Sequence, residues 1–179
     1  MSKIFWGFFF VFLNFNLNLG GHVVNLLPTF AGYWILVRGM DALSGESGSF
    51  AALRPFAVGM GVYTAILWVG DLLAITSYGP VSVLLGLAAA LVSLYIAWGV
   101  AAALADVEQS RGTDLGAAGV RRAWTALAIG EAMALLAGAV SMLGLGAAVL
   151  GVLGAVLGLV GVVWFLVSLW GVKSRFEAL

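Results

Sequence analysis

Long apolar runs alternate with four short polar clusters, and every Lys and Arg of the chain lies in one of those clusters. Lys3 opens the chain, Arg38 and Arg54 flank a first polar loop, and Arg111, Arg121 and Arg122 flank a second. Lys173 and Arg175 form the fourth cluster. No Asp, Glu, Lys or Arg occurs in residues 4–37, 72–105 or 132–172. At a rise of 1.5 Å per residue, each of these runs can cross a hydrocarbon core of about 30 Å, turn and return. The pattern predicts an all-α integral membrane bundle of six transmembrane helices in three hairpins, residues 4–43, 55–105 and 117–172. Residues 44–54 and 106–122 are then the cytoplasmic loops. With six crossings all the basic clusters fall on one side, which the positive-inside rule assigns to the cytoplasm together with both termini.

Punctuation inside the apolar runs sets the element boundaries, and residues 1–179 read as a single membrane domain. The first hairpin pairs residues 4–19 with 28–43; Gly20-Gly21 breaks its first helix and Pro28 suits the first turn of its second. Helices of about 16 residues reach only about 24 Å, so this hairpin either thins the bilayer or is re-entrant. Helix three starts near Phe50 or Pro55 and runs to Ile75, where Thr76-Ser77-Tyr78-Gly79-Pro80 marks a turn. Helix four runs to about Ala105. Helix five covers about 123–141, a turn falls near Gly144 to Gly146, and helix six continues to about Val172. The start, Met1-Ser2-Lys3 followed by apolar residues, has the form of a signal peptide. The next segment, Asn14-Phe15-Asn16-Leu17-Asn18, offers no small-x-small cleavage site, so the sequence reads as a retained span.

Composition agrees with lipid as the main solvent. The chain of 179 residues is 63% hydrophobic and 9% charged, against roughly 25% charged in soluble domains. A soluble protein of this size could not hide so much apolar surface. The formal net charge is zero and no basic face gathers, which argues against nucleic acid as a partner. The chain has no Cys, so disulfides, thiolate metal sites and Cys nucleophiles are all excluded. A single His leaves no recognisable zinc set, and no cofactor or metal motif occurs.

Helix six carries Gly144, Ala147, Gly151, Gly154, Gly158 and Gly161 at spacings of three and four, one narrow small-residue seam. Helix five has a matching face in Ala126, Gly130, Ala134, Ala137 and Ser141. Small residues let backbones approach, and close dispersion contacts drive association where lipid supplies no hydrophobic force. The two helices are therefore expected to form a tight antiparallel hairpin; a homo-oligomer seam is the alternative use of the same glycines.

Three polar features lie in the predicted membrane. Glu131 sits nine residues past Arg122, about 13–14 Å along the helix and near mid-membrane. No Lys or Arg lies at that depth. A carboxyl there is costly as a charge and is expected to hold its proton, to bond a neighbouring helix, or to ligate a cation. Asp71 sits near the outer end of helix three, on a face with Thr64 and Trp68; it is either a headgroup-level carboxylate or part of a polar vestibule. Asn14, Asn18, His22 and Asn25 are spaced four, four and three, so one continuous helix would align them. With Asn16 included, the amides also alternate with Phe15 and Leu17, as in an extended segment. The group is either a polar tip solvated by headgroups or an outward vestibule with Asp71.

Gly-x-Gly pairs at Gly59/Gly61 and Gly144/Gly146 lie inside apolar spans, and no phosphate loop or nucleophile elbow occurs. The stretch Leu26-Leu27-Pro28-Thr29-Phe30-Ala31-Gly32-Tyr33, with Gly39, Leu43 and Arg54-Pro55-Phe56, resembles a set of small multi-pass membrane proteins of Gram-positive bacteria, many with an acidic residue where this chain has Thr29. The resemblance covers about the first third of the chain, brings no activity with it, and implies a bacterial cell-membrane setting. Three function classes remain: a carrier or channel-like protein using Glu131 and Asp71, a non-catalytic membrane partner or assembly subunit, and, with least support, an intramembrane enzyme acting on a lipid. The expected partners are the bilayer itself and a second copy or another membrane protein.

Overall fold

The computed structural model describes residues 1–13, 16–19, 22–25, 28–73, 80–142 and 147–178. Among these residues there are six helices and one short β-hairpin: α1 (Ser2–Phe12), β1 (Asn16–Leu19), β2 (His22–Asn25), α2 (Thr29–Leu43), α3 (Gly48–Leu72), α4 (Pro80–Arg111), α5 (Ala117–Met142) and α6 (Ala148–Phe176). Four stretches, Gly48–Leu72, Val81–Arg111, Ala117–Ser141 and Ala148–Phe176, are long and apolar enough to cross a membrane. This is the architecture of a helical membrane protein. The chain divides into two compact units, Met1–Val107 and Glu108–Leu179, with the boundary inside α4.

The first hairpin departs from the expected pair of 16-residue helices. α1 stops at Phe12, and β1 pairs antiparallel with β2, Asn16 opposite Asn25 and Leu19 opposite His22. Asn competes with the helix ladder by bonding nearby backbone, so the Asn-rich segment disfavours continuation of the helix. The fold is therefore all-α only outside this four-residue ladder. Other boundaries shift outward. The expected loop 44–54 shrinks to 44–47, because Ser47 caps α3 by accepting from the Ser49 N–H at 3.2 Å. The expected loop 106–122 is mostly helix. The connection is 112–116, bounded by Gly112 (φ 61°) and Gly116 (φ 92°), both in the left-handed region that glycine enters without strain. The turns expected at 76–80 and 144–146 lie largely or wholly outside the described residues.

In unit 1, α1 and α2 run antiparallel with glycines as the points of closest approach. A Cβ on Gly32 would lie 2.8 Å from the Val11 nitrogen, and one on Gly39 would lie 2.8 Å from Ile4 Cδ1. α2 then packs on α3, where Phe30 meets Trp68 edge-on at 5.6 Å. β2 lies against α3 as well. α4 runs antiparallel to α3, with Gly99 against Leu53 and Tyr95 against Phe56. Phe8, Tyr33, Leu36, Met40, Phe50 and Ile96 are fully buried among these helices.

In unit 2, α5 and α6 form one antiparallel pair along their whole length. The contacts step regularly: Leu127 with Gly161, Gly130 with Gly158, Ala134 with Gly154, and Ala137 with Gly151. Each step along α5 is matched by an equal step back along α6.

Candidate functional site

The glycine seam of unit 2 fixes the position of Glu131. A Cβ on Gly161 would sit 2.6 Å from the Leu127 nitrogen, and one on Gly154 would sit 2.8 Å from the Ala134 nitrogen. A Cβ on Gly130 would run into the Gly158 backbone. At Gly158 itself an added Cβ meets nothing, and at Gly151 it makes ordinary contact with Ala137. The α5 face keeps Gly130, Ala134 and Ala137 as read off the sequence and departs from it at its two ends. Leu127 is buried where Ala126 was expected, and Ser141 is exposed. The reason is that α6 offers glycine at 161, a hole that takes Leu127 backbone and side chain alike.

Glu131 follows Gly130 directly and so stands at the edge of the seam. It is half-buried within unit 2. Leu127 and Ala134 on its own helix and Leu157 and Gly158 on α6 lie near its level. Among the described residues no hydrogen bond or ion pair involves it, and no group of three or more His, Cys, Asp or Glu gathers anywhere. The arrangement offers a single carboxyl oxygen pair against an apolar, tightly packed wall.

The other residues singled out in the sequence are in unit 1. Asp71 is exposed in the last turn of α3. Asn14 lies outside the described residues. Asn18, His22 and Asn25 are on the β-hairpin, in the extended arrangement and not on one helix face. Period-two registry places Asn18 and Asn25 at one set of positions and His22, opposite Leu19, at the other. Of the proposed vestibule, the structure thus brings Asn18 and Asn25 onto common register and sets His22 apart.

Two polar groupings in unit 1 were not found from sequence. The Tyr33 hydroxyl and Ser93 Oγ share a 2.7 Å hydrogen bond between α2 and α4, and Tyr33 is 2% exposed. The partners are 60 residues apart, so no spacing rule could join them. At the charged end of the unit, Arg54 Nε donates to Asp41 Oδ1 at 2.7 Å. Nearby, the Ser47 and Ser49 hydroxyls donate to Asp106 Oδ2 at 3.2 and 2.8 Å. These bonds tie the ends of α2, α3 and α4 together. They are exposed, and a solvated pair of this kind contributes about 0–1 kcal/mol. The corresponding end of unit 2 has a notch of 360 Å³ beside Gly116, Ser168 and Arg175, with Arg175 Nη1 held 3.5 Å from Asp114. Glu108 accepts from the Ala117 N–H at 2.7 Å and so caps α5.

Set against known proteins, the chain matches no family model, no curated protein and no solved structure.

Proposed function

We propose that this chain is a multi-pass protein of the bacterial cell membrane that carries a proton or a small cation, with Glu131 as the group that takes the charge. The observation behind the reading is the isolation of Glu131. It stands nine residues from the nearest basic residue on its helix, beside a wall of glycine and alanine backbone, with no bonded partner among the described residues. A carboxyl in that setting changes its charge only by exchanging a proton or a cation, which is the elementary step of a carrier. No enzyme chemistry is needed for that step. In proteoliposomes with a trapped pH-sensitive dye, the wild type should dissipate an imposed cation or proton gradient. Glu131→Gln should keep the melting temperature and lose the flux. Wild-type vesicles no leakier than empty ones, or undiminished flux in Glu131→Gln, would refute the reading.

The same proposal includes six crossings with both termini inside, on the strength of the four basic clusters. The native chain has no Cys, so single cysteines report cleanly. In intact cells, Ser44→Cys and Ser110→Cys should resist an impermeant thiol reagent and Gly79→Cys should react. Labelling at position 110 from outside would overturn the topology.

A second reading, a non-catalytic membrane partner or assembly subunit, draws on α4. Residues 81–88 are exposed on every side, including Val81, Leu84 and Leu87. A lipid-facing helix in a bundle normally keeps one side covered. Co-purification of one stoichiometric membrane protein, lost on Leu84→Ser, would favour this reading over the first.

A further inference from the structure

Between α2 and α3 runs an apolar groove of 190 Å³, lined on α2 by Phe30, Trp34 and Val37 and on α3 by Ala57, Val58, Gly61, Val62 and Ala65. Ala57, Gly61 and Ala65 recur every four positions as a strip of small side chains, and Val58 and Val62 stand beside that strip. Tyr33 closes the floor, and its Cβ stands 3.5 Å from where a Cβ on Gly61 would be. The groove is narrow and apolar, a shape that suits a hydrocarbon segment. Trp34, 62% exposed, forms one rim.

The polar end of the groove is marked by charge. Arg38 lies one turn beyond Trp34, with its guanidinium carbon 5.8 Å from the Trp34 ring centre. Arg54 at the same end is engaged by Asp41. Arg38 has no carboxylate partner among the described residues and is exposed. A narrow apolar slot leads away from a guanidinium that rests on the Trp34 ring and has no carboxylate partner among the described residues, at the end of the unit where the ionic residues Asp41, Arg54 and Asp106 gather. We infer that this groove holds one anionic phospholipid, with an acyl chain along Ala57, Gly61 and Ala65 and the headgroup phosphate on Arg38. The guanidinium supplies donors matched to phosphate oxygens, and the trough supplies dispersion contacts that a free phosphate could not use. The inference rests on the membrane placement of the helices and is independent of Glu131.

The test is native mass spectrometry of the detergent-purified full chain after exchange into mixed micelles of phosphatidylglycerol and phosphatidylcholine, with melting temperature read in parallel. The wild type should retain one lipid per chain, favouring phosphatidylglycerol by roughly fivefold, the effect of about one basic residue on an anionic lipid. Arg38→Gln should bring the two lipids to parity, and Arg38→Lys should restore much of the preference. Gly61→Leu fills the slot and should abolish retention of both lipids. Ala65→Leu, one turn away, should do the same and guards against a folding defect specific to position 61. Glycerol phosphate, which has the headgroup without chains, should not compete. Equal retention of the two lipids by the wild type, retention unchanged by both groove-filling variants, or displacement by glycerol phosphate would overturn the inference. So would a dimer that dissociates in Gly61→Leu, because a second copy would then be the occupant.

Discussion

Unit 1 fills most of its interior with large side chains and brings backbones together between α1 and α2, at Gly7, Gly32 and Gly39, whereas unit 2 closes its interior by bringing two backbones together along a whole seam. The fully buried residues of unit 1 include Phe8, Tyr33, Leu36, Met40 and Phe50, and the Tyr33 hydroxyl among them is hydrogen-bonded to Ser93 on a neighbouring helix. Along α5 and α6 the closest contacts involve Gly130, Gly154, Gly158 and Gly161, and the larger buried residues Phe165 and Leu169 lie on the α6 side toward its charged end. Both solutions exclude lipid from between helices, and both rely on dispersion. They differ in what can yield. A misplaced or missing side chain can be partly accommodated by its neighbours, whereas a backbone pressed on a backbone can relieve a clash only by moving a whole helix. Unit 2 should therefore be sensitive to added atoms along its whole seam, and unit 1 to removed ones everywhere but the α1–α2 glycine contacts.

The largest effect is expected where backbone meets backbone. Gly161→Leu and Gly130→Leu should each lower stability by at least ~3 kcal/mol, at or above the upper end of ordinary overpacking, read as a loss of melting temperature in detergent. Gly158→Ala should stay within about 0.5 kcal/mol of wild type, because its added methyl meets open space. Equal losses at positions 158 and 161 would erase the contrast between backbone contact and mere glycine content. A smaller effect should follow truncation in unit 1. Phe8→Ala, which empties a site only 2% exposed and stacked on Phe12, should cost about 2–3 kcal/mol. This is below the soluble-core figure, because the reference state is lipid and not water. A neutral Phe8→Ala would show that unit 1 does not depend on side-chain volume. Smallest is the polar tie. Tyr33→Phe should cost about 0.6–1.7 kcal/mol, and Ser93→Ala added to it should cost nothing further if the two hydroxyls serve only each other.

The same contrast explains which features were legible beforehand. The seam was readable because Gly151, Gly154, Gly158 and Gly161 declare one face by spacing alone, and helix periodicity is rigid. Its partner face was legible at Gly130, Ala134 and Ala137 and missed at one contact, because composition prefers Ala126 while the hole at Gly161 accepts Leu127. The end of α1 was misplaced for a different reason. Leu19 and His22 are separated by Gly20-Gly21, and alternating residues on each side of a Gly-Gly pair are a hairpin signal. The strongly apolar surroundings favoured reading the segment as helix. Glu131 was visible as a lone acid in an apolar run, but its place at the seam edge needed the α5–α6 registry. The Tyr33–Ser93 bond, the Asp106 cluster and the α2–α3 groove had no signal, because each joins residues far apart in the chain.

Charge distribution and apolar run length pointed, from sequence alone, to lipid as the main solvent, and four of the six helices, α3 to α6, are long and apolar enough to cross it. Those are one-dimensional quantities, fixed by desolvation and by the rise of a helix. Glycine periodicity likewise fixed which side of α6 can approach a neighbour. The tertiary structure decided which residue fills each small-residue gap, which hydroxyls find one another, and where a groove is left beside Arg38. Close packing depends on the shapes of two surfaces at once, and lipid, being as apolar as the side chains, adds no separate force to choose between them.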